Sequence, residues 1–140
     1  MNRLTDQSLL WHTTENRDEN GFDTKYEWYI NPEGDFQFTS DIVVLTGRYT
    51  VSAGERFAIG AKILPHITVI GDTTANTQGS IMGREMLNGW NYTFTFERVL
   101  DPNGTNYEGI GINPDIYFQS DILDLSTQDI ILEEAIAEIE

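Results

Sequence analysis

Val43-Val44-Leu45-Thr46-Gly47-Arg48-Tyr49-Thr50-Val51-Ser52-Ala53-Gly54-Glu55 carries the chain from an apolar run into a helix, with a lone serine at the corner. Asp41 to Thr46 has the composition of a short buried strand, and the helix opened by Ser52 is expected to run to about Leu64. Ile67 to Ile70 is a second buried strand. The segment is therefore a strand, helix, strand unit whose two strands are parallel, because such a connection returns the chain in the same direction. Ligands of open α/β sheets collect at the carboxyl ends of the strands, which is where Ser52 falls.

Two readings of Ser52 stand side by side. Serine and threonine are common helix caps, and a cap needs no further role. A hydroxyl at a strand-to-helix corner is also the pattern of an exposed nucleophile, because the unpaired amides of the helix start stabilise developing negative charge. The helix carries Ala53, Phe57, Ala58, Gly60, Ala61 and Leu64 as its inward surface, with Glu55 and Arg56 on a wetter side.

Working outward, residues 1 to 25 are polar and weakly patterned, so regular structure is expected to begin near Tyr26. Tyr26 to Ile30 and Asp35 to Thr39 read as strands joined through Asn31-Pro32-Glu33-Gly34. Thr73 to Gly83 is rich in Thr, Asn, Gln, Gly and Ser and reads as a mobile loop at the Ser52 edge. Asn91 to Val99 alternates Tyr92, Phe94 and Phe96 with polar residues, a half-buried strand. Asp101-Pro102-Asn103-Gly104 is expected to turn it into a hairpin with a partner near Tyr107. Ile130 to Glu140 is an amphipathic helix with Ile131, Leu132, Ala135, Ile136 and Ile139 on one face, capped by Ser126 or Thr127.

Taken in order, Thr50-Val51-Ser52-Ala53-Gly54-Glu55, Leu64-Pro65-His66-Ile67-Thr68-Val69-Ile70-Gly71-Asp72-Thr73-Thr74, Leu87-Asn88-Gly89-Trp90, Asp101-Pro102-Asn103-Gly104 and Glu108-Gly109-Ile110-Gly111-Ile112-Asn113-Pro114-Asp115-Ile116 resemble the catalytic domain of the C-terminal processing (tail-specific) serine peptidases, including the tricorn-core and retinoid-binding-protein-like branch. The resemblance covers roughly residues 29 to 137. It implies an α/β fold with a Clp-protease or crotonase-like core: a mixed sheet, the strand-helix-strand unit and a β-hairpin. It implies peptide-bond hydrolysis with Ser52 as nucleophile and the Ala53 amide in the oxyanion site, and it implies no metal or cofactor.

The better-known branch has its nucleophile in a T-A-S-A-S-E type motif and a general-base lysine in G-E-P-T-F-G-K-G. Aligned without a gap, these place the glycine on Gly71, the acid on Asp72 and the threonine on Thr74, and put Thr77 where the lysine should be. A serine hydroxyl is a weak nucleophile until a base takes its proton, so the substitution bears on activity. Lys62 lies some three turns along the helix that Ser52 opens. The tricorn-like branch uses a histidine from earlier in the chain and a glutamate near E-G-x-G-x-x-P-D. Here that glutamate is Glu108, which the resemblance makes the acid that orients a base. His12 and His66 are the two histidines, and both read as bystanders, His66 because it sits between Pro65 and an apolar strand. Asp115 reads as a turn residue after Pro114.

The upstream glycine-rich strand end that gives such peptidases their second oxyanion amide has no counterpart in residues 1 to 40. The 140 residues are accordingly read as a single domain, the C-terminal part of a peptidase catalytic domain, with a catalytically inactive peptide-binding relative as the alternative. A half-domain with uncovered strands pairs with another chain, so the expected protein partners are a missing upstream half-domain or a second copy, besides a peptide or protein substrate.

Composition narrows the rest. With 39% hydrophobic residues in 140, the chain can bury one core. Twenty-three Asp and Glu against 8 Lys and Arg give a net charge of -15, which repels phosphate backbones and makes nucleic acid an unsuitable partner. The absence of cysteine excludes disulfides and thiolate chemistry. Met1-Asn2-Arg3-Leu4-Thr5-Asp6 begins no signal peptide, and no apolar run reaches the ~20 residues needed to cross a bilayer. Membrane insertion is not expected. Only the resemblance supplies an address, periplasmic or extracytoplasmic.

Overall fold

A computed structural model describes residues 1–119 and 129–139. Along the chain these form β1 (Leu9–Asp18), β2 (Gly21–Phe22), β3 (Tyr26–Ile30), β4 (Ile42–Thr46), α1 (Ala53–Lys62), β5 (Ile67–Gly71), β6 (Ile81–Glu85), β7 (Asn91–Thr95), β8 (Glu97–Leu100), β9 (Ile116–Tyr117) and α2 (Ile130–Ile139). The architecture is mixed α/β, as expected. β4 and β5 run parallel in the register Ile42↔Ile67 to Thr46↔Gly71, and β9 joins the far side of β5, also parallel. An antiparallel sheet in the order β2-β1-β3, with β8 also paired to β1, lies apart from it.

Helix α1 joins the two cores. Ala61 and Leu64 pack with Ile67 and Val69 of β5, against Leu9, Ile42 and Val44. Ala58 and Ile59 pack with Val99 of β8 and with Ile112, against Trp11 and Tyr107. Each large aliphatic side chain so buried contributes about 1.5–3 kcal/mol. The small residues of α1 permit close approach: a side chain at Gly60 would meet Trp11 Nε1 at 2.8 Å, and that indole donates to the Arg56 carbonyl at 2.7 Å. Ala53 and Phe57, expected to point inward, are exposed, whereas Glu55, expected on the wet side, is fully buried.

Other expectations are corrected. The polar lead is not without structure: β1 occupies residues 9–18 and is the strand on which the antiparallel sheet is built. Residues 35–39 form no strand; Phe36 and Phe38 are exposed, and the segment is tied to Arg3 by its guanidinium on the Phe36 carbonyl and by the Phe38 amide on the Arg3 carbonyl. The Tyr92 to Val99 run is divided between β7 and β8. Its hairpin partner is β6, through the turn at Met86 to Trp90, while the turn at Asp101 to Gly104 yields only the single bridge Leu100↔Asn106. In α2 only Ala135 of the expected apolar face is buried, while Leu132, Ile136 and Ile139 are exposed among the described residues, and Asp129 is the cap, its carboxylate accepting from the Leu132 amide at 3.0 Å. Ser126 and Thr127 lie outside the described residues.

His12 sits on β1, 2% exposed, stacked on Trp28 at 5.9 Å and edge-on to Trp11 at 4.6 Å. Neither ring nitrogen has a hydrogen-bond partner among the described residues. Burial, helped by the Arg56 charge and opposed by Glu97, pushes its pKa down to about 4. The unfolded chain binds the proton near pH 6.5, well before the folded one does, so stability present above that pH is lost as pH falls towards 4. The loss is expected to reach up to about 3 kcal/mol. His12→Phe, which keeps the ring stacking, should remove this component. Urea unfolding of both proteins between pH 7.5 and 4.5 checks it, and identical acid slopes would refute it.

Candidate active site

Ser52 is reached from β4 by a tight turn, in which the Thr50 amide donates to the Gly47 carbonyl at 2.8 Å and the Gly47 amide to Thr50 Oγ1 at 3.1 Å. Its backbone stands at φ 56°, ψ -116°, in the positive-φ region that residues with a Cβ enter at a cost of about 1–3 kcal/mol. A capping serine has extended backbone and an oxygen turned back onto an amide of the first turn. Ser52 has neither: its side chain is exposed and makes no cap hydrogen bond. The cap reading is thereby set aside. Ala53 follows as the first residue of α1, so its amide has no carbonyl one turn back in the helix to accept it.

The loop after β5 closes over this corner. The Ser52 amide donates to the Thr77 carbonyl at 2.9 Å and the Ala75 amide to the Thr50 carbonyl at 2.9 Å. From inside, Glu55 accepts from the Thr74 hydroxyl, the Asn76 amide at 2.8 Å and the Thr77 amide at 2.7 Å. Glu108 accepts the next two amides on one oxygen, Gln78 at 2.7 Å and Gly79 at 3.0 Å. Glu97 accepts the Ser80 amide at 3.0 Å and its hydroxyl at 2.8 Å, and pairs with Arg56. Five successive amides, 76 to 80, thus end on three carboxylates. The stretch expected to be a mobile loop is held along this length, and β6 begins at Ile81. Burial alone would raise the Glu97 pKa, but the Ser80 hydrogen bonds and the Arg56 charge outweigh it and leave the carboxyl below its usual range.

The remaining candidates are placed as follows. Glu108 Oε1 accepts from the Thr95 hydroxyl at 3.4 Å. Asp115 accepts the Val69 amide at 2.9 Å and pairs with Lys62, which ties β9 to β5 and keeps that lysine on the far end of α1. Asp72 accepts the Thr73 amide and lies 3.4 Å from the Arg48 guanidinium. His66 Nε2 is buried beside Pro65 without a partner among the described residues, away from the loop that closes over Ser52. No histidine or lysine among the described residues is hydrogen-bonded to Ser52. The sequence reading overlooked Glu55 and Glu97. The spacing Ser52-x-x-Glu55 is that of a capping box, which signals a carboxylate turned towards the helix start.

The model of peptidase family S41 matches residues 2–118. The chain belongs to peptidase family S41. Among solved structures, a crystal structure from Parabacteroides merdae ATCC 43184 assigned as a peptidase superposes on 99% of this chain with a TM-score of 0.88 and 30% identity. This chain spans 45% of that one. The photosystem II D1 C-terminal processing protease matches 98% of this chain and 32% of its own length, with a TM-score of 0.62 and 21% identity. Mature CPAF complexed with lactacystin matches 69% of this chain and 20% of its own length, with a TM-score of 0.62 and 21% identity. A search among curated protein sequences finds no match.

The fold is therefore that of S41 peptidases and the domain is of serine-peptidase type. Its resemblance to the C-terminal processing enzymes, read from motifs, is confirmed. Thr77, which the motif comparison sets against the lysine of the better-known branch, meets Ser52 through its backbone carbonyl, and its hydroxyl faces the Ala75 carbonyl at 3.4 Å. Among the described residues no helix is long and apolar enough to cross a membrane.

Proposed function

We propose that this chain supplies the nucleophile half of a serine peptidase active site. Ser52 Oγ attacks the scissile carbonyl, the Ala53 amide holds the resulting oxyanion at the start of α1, and Glu108 Oε1 orients the base that accepts the serine proton. The base and the second oxyanion amide are supplied from outside the motifs described above, by an upstream half-domain or by a second copy of this chain. The observation that carries this reading is the exposed, uncapped hydroxyl of Ser52 held at φ 56° on a helix start. Strain of this kind persists where the surroundings enforce it, and it clusters at reactive centres. The substrate is a peptide or protein. The setting is extracytoplasmic, a reading supported by the similar fold of a lipoprotein from Streptococcus agalactiae (TM-score 0.66, 18% identity, 97% of this chain and 45% of that one).

A fluorophosphonate probe tests it, with the adduct located by mass spectrometry and Ser52→Ala as control. Labelling at Ser52 that vanishes in the variant supports the nucleophile. No labelling of folded protein, alone or with the upstream segment restored, overturns it. Thr77 at the lysine position favours a second reading, a peptide-binding relative without catalysis. That reading expects peptide affinity unchanged by Ser52→Ala and no probe adduct.

A further inference from the structure

Glu55, which falls on the last position of the T-A-S-A-S-E type motif, is the most deeply buried carboxylate among the described residues, at 0% exposure. It lies one turn after Ser52 on α1, yet it does not turn back to the Ser52 amide as a capping-box glutamate would. Its two oxygens instead take the Thr74 hydroxyl and the Asn76 and Thr77 amides. The amide of Ser52 is taken over by the Thr77 carbonyl, the opposite face of the residue whose N–H Glu55 holds. A short relay results: carboxylate to Thr77 N–H, Thr77 C=O to Ser52 N–H.

We infer that Glu55 is a positioning residue for Ser52, holding the loop of residues 74–77 so that the Thr77 carbonyl fixes the serine in its positive-φ conformation. The inference rests on Ser52 as nucleophile and adds the element that keeps the hydroxyl exposed. Two observations and one chemical requirement agree. All the donors on Glu55 come from the loop or its Thr74 shoulder, and none from its own helix. The same loop is anchored from the other side, where Thr74 Oγ1 accepts the Ile112 amide at 2.8 Å and the Asn76 carbonyl accepts the Gly109 amide at 2.9 Å. The chemistry requires an acceptor on both oxygens, which a carboxylate supplies and an amide does not. Glu55→Gln would set an NH2 group against at least one of these donors, at nearly constant volume.

The test uses the full chain and compares the wild type with Glu55→Gln, Glu55→Asp and Thr74→Val. Amide hydrogen exchange is read at Ser52, Asn76 and Thr77, and fluorophosphonate inactivation is resolved into probe affinity and maximal rate. Glu55→Gln is expected to speed exchange at all three amides at least tenfold. It should lower the maximal inactivation rate at least tenfold with probe affinity unchanged. Thr74→Val, which leaves both amide bonds in place, should cause a smaller change, and Glu55→Asp a partial recovery of rate. Unchanged exchange at Ser52 in Glu55→Gln would overturn the inference, as would a rate loss explained by a smaller labelled fraction. If Glu55→Gln does not fold, Glu55→Asp, whose shorter side chain cannot reach all three donors, decides: exchange at Ser52 and Thr77 unaltered by it overturns the relay. If the wild type is not labelled either alone or together with the upstream half-domain, the nucleophile reading fails while the exchange data still judge the clamp.

Discussion

Ser52→Gly is expected to stabilise the protein and to abolish probe labelling at once. The backbone of Ser52 at φ 56°, ψ -116° is costly for any residue with a Cβ and nearly free for glycine. Because the serine makes no cap hydrogen bond, nothing is lost from the helix start when its oxygen is removed. The gain is partly offset by the greater freedom of glycine in the unfolded chain, which costs about 0.5–1 kcal/mol. A net gain of about 1 kcal/mol remains, or roughly 3–4 °C in the unfolding midpoint for a domain of this size. Ser52→Ala keeps the Cβ and the strain, so it should lose labelling as completely and gain no stability. The pair separates two explanations of the conformation. A serine strained for chemistry predicts stabilisation by glycine alone, whereas a serine that serves the fold predicts destabilisation by both. Calorimetry of the three proteins, with labelling stoichiometry, gives the answer. A lower midpoint for Ser52→Gly would mean that the hydroxyl, not the backbone, is what the fold uses.

What the sequence discloses about this site is the part that is local. The apolar run of β5 and the small-residue helix before it are visible because a buried parallel strand is apolar throughout; β4 carries the same apolar pattern but, contrary to expectation, is only half-buried, with Leu45 exposed. β1 is hidden for the opposite reason. Thr13, Thr14 and Glu15 are buried although polar, and what makes this tolerable lies elsewhere: Arg98 pairs with Glu15 from β8, and Trp28 Nε1 donates to Thr14 Oγ1 from β3. No periodicity within residues 9–18 announces those partners. Glu55 was misjudged likewise, since a helical glutamate looks solvated until a loop some twenty residues later brings it three donors. The hairpin shows a different limit. The alternation of Tyr92, Phe94 and Phe96 reads as one half-buried strand, whereas the chain breaks at Phe96 and leaves Tyr92 and Phe94 exposed on β7, and two turns flank the run. The choice of β6 over the segment near Tyr107 depends on how Glu108 and Gly109 are already engaged with the 76–79 loop. Ser52 as a corner residue was legible, whereas its freedom from capping was not, because that is a dihedral angle.

Gly71→Ala is expected to cause the greatest loss of stability of any single methyl addition near the site. Gly71 ends β5 directly opposite Thr46 in the parallel ladder, at φ 128°. A Cβ there would fall on the Thr46 carbonyl oxygen, far inside van der Waals contact. That oxygen cannot retreat cheaply, because it accepts the Asp72 amide at 3.0 Å while Thr46 Oγ1 donates to the Asp72 carbonyl at 3.0 Å. Strain at positive φ and the forced parting of β4 from β5 together should cost about 3–5 kcal/mol, at the upper end of single substitutions. The midpoint should fall by roughly 10 °C or more. The effect should reach Ser52 in turn, since the β4 end sets the start of the turn that presents it and Gly71 sets the start of the loop whose Thr77 carbonyl holds it. Gly83→Ala, where nothing lies within 4 Å of the added methyl, is the matched control and should change little. Unfolding curves for both variants suffice. A Gly71→Ala protein as stable as Gly83→Ala would show that β4 and β5 can part at their carboxyl ends without consequence, and the rigid corner on which the proposed nucleophile depends would have to be abandoned.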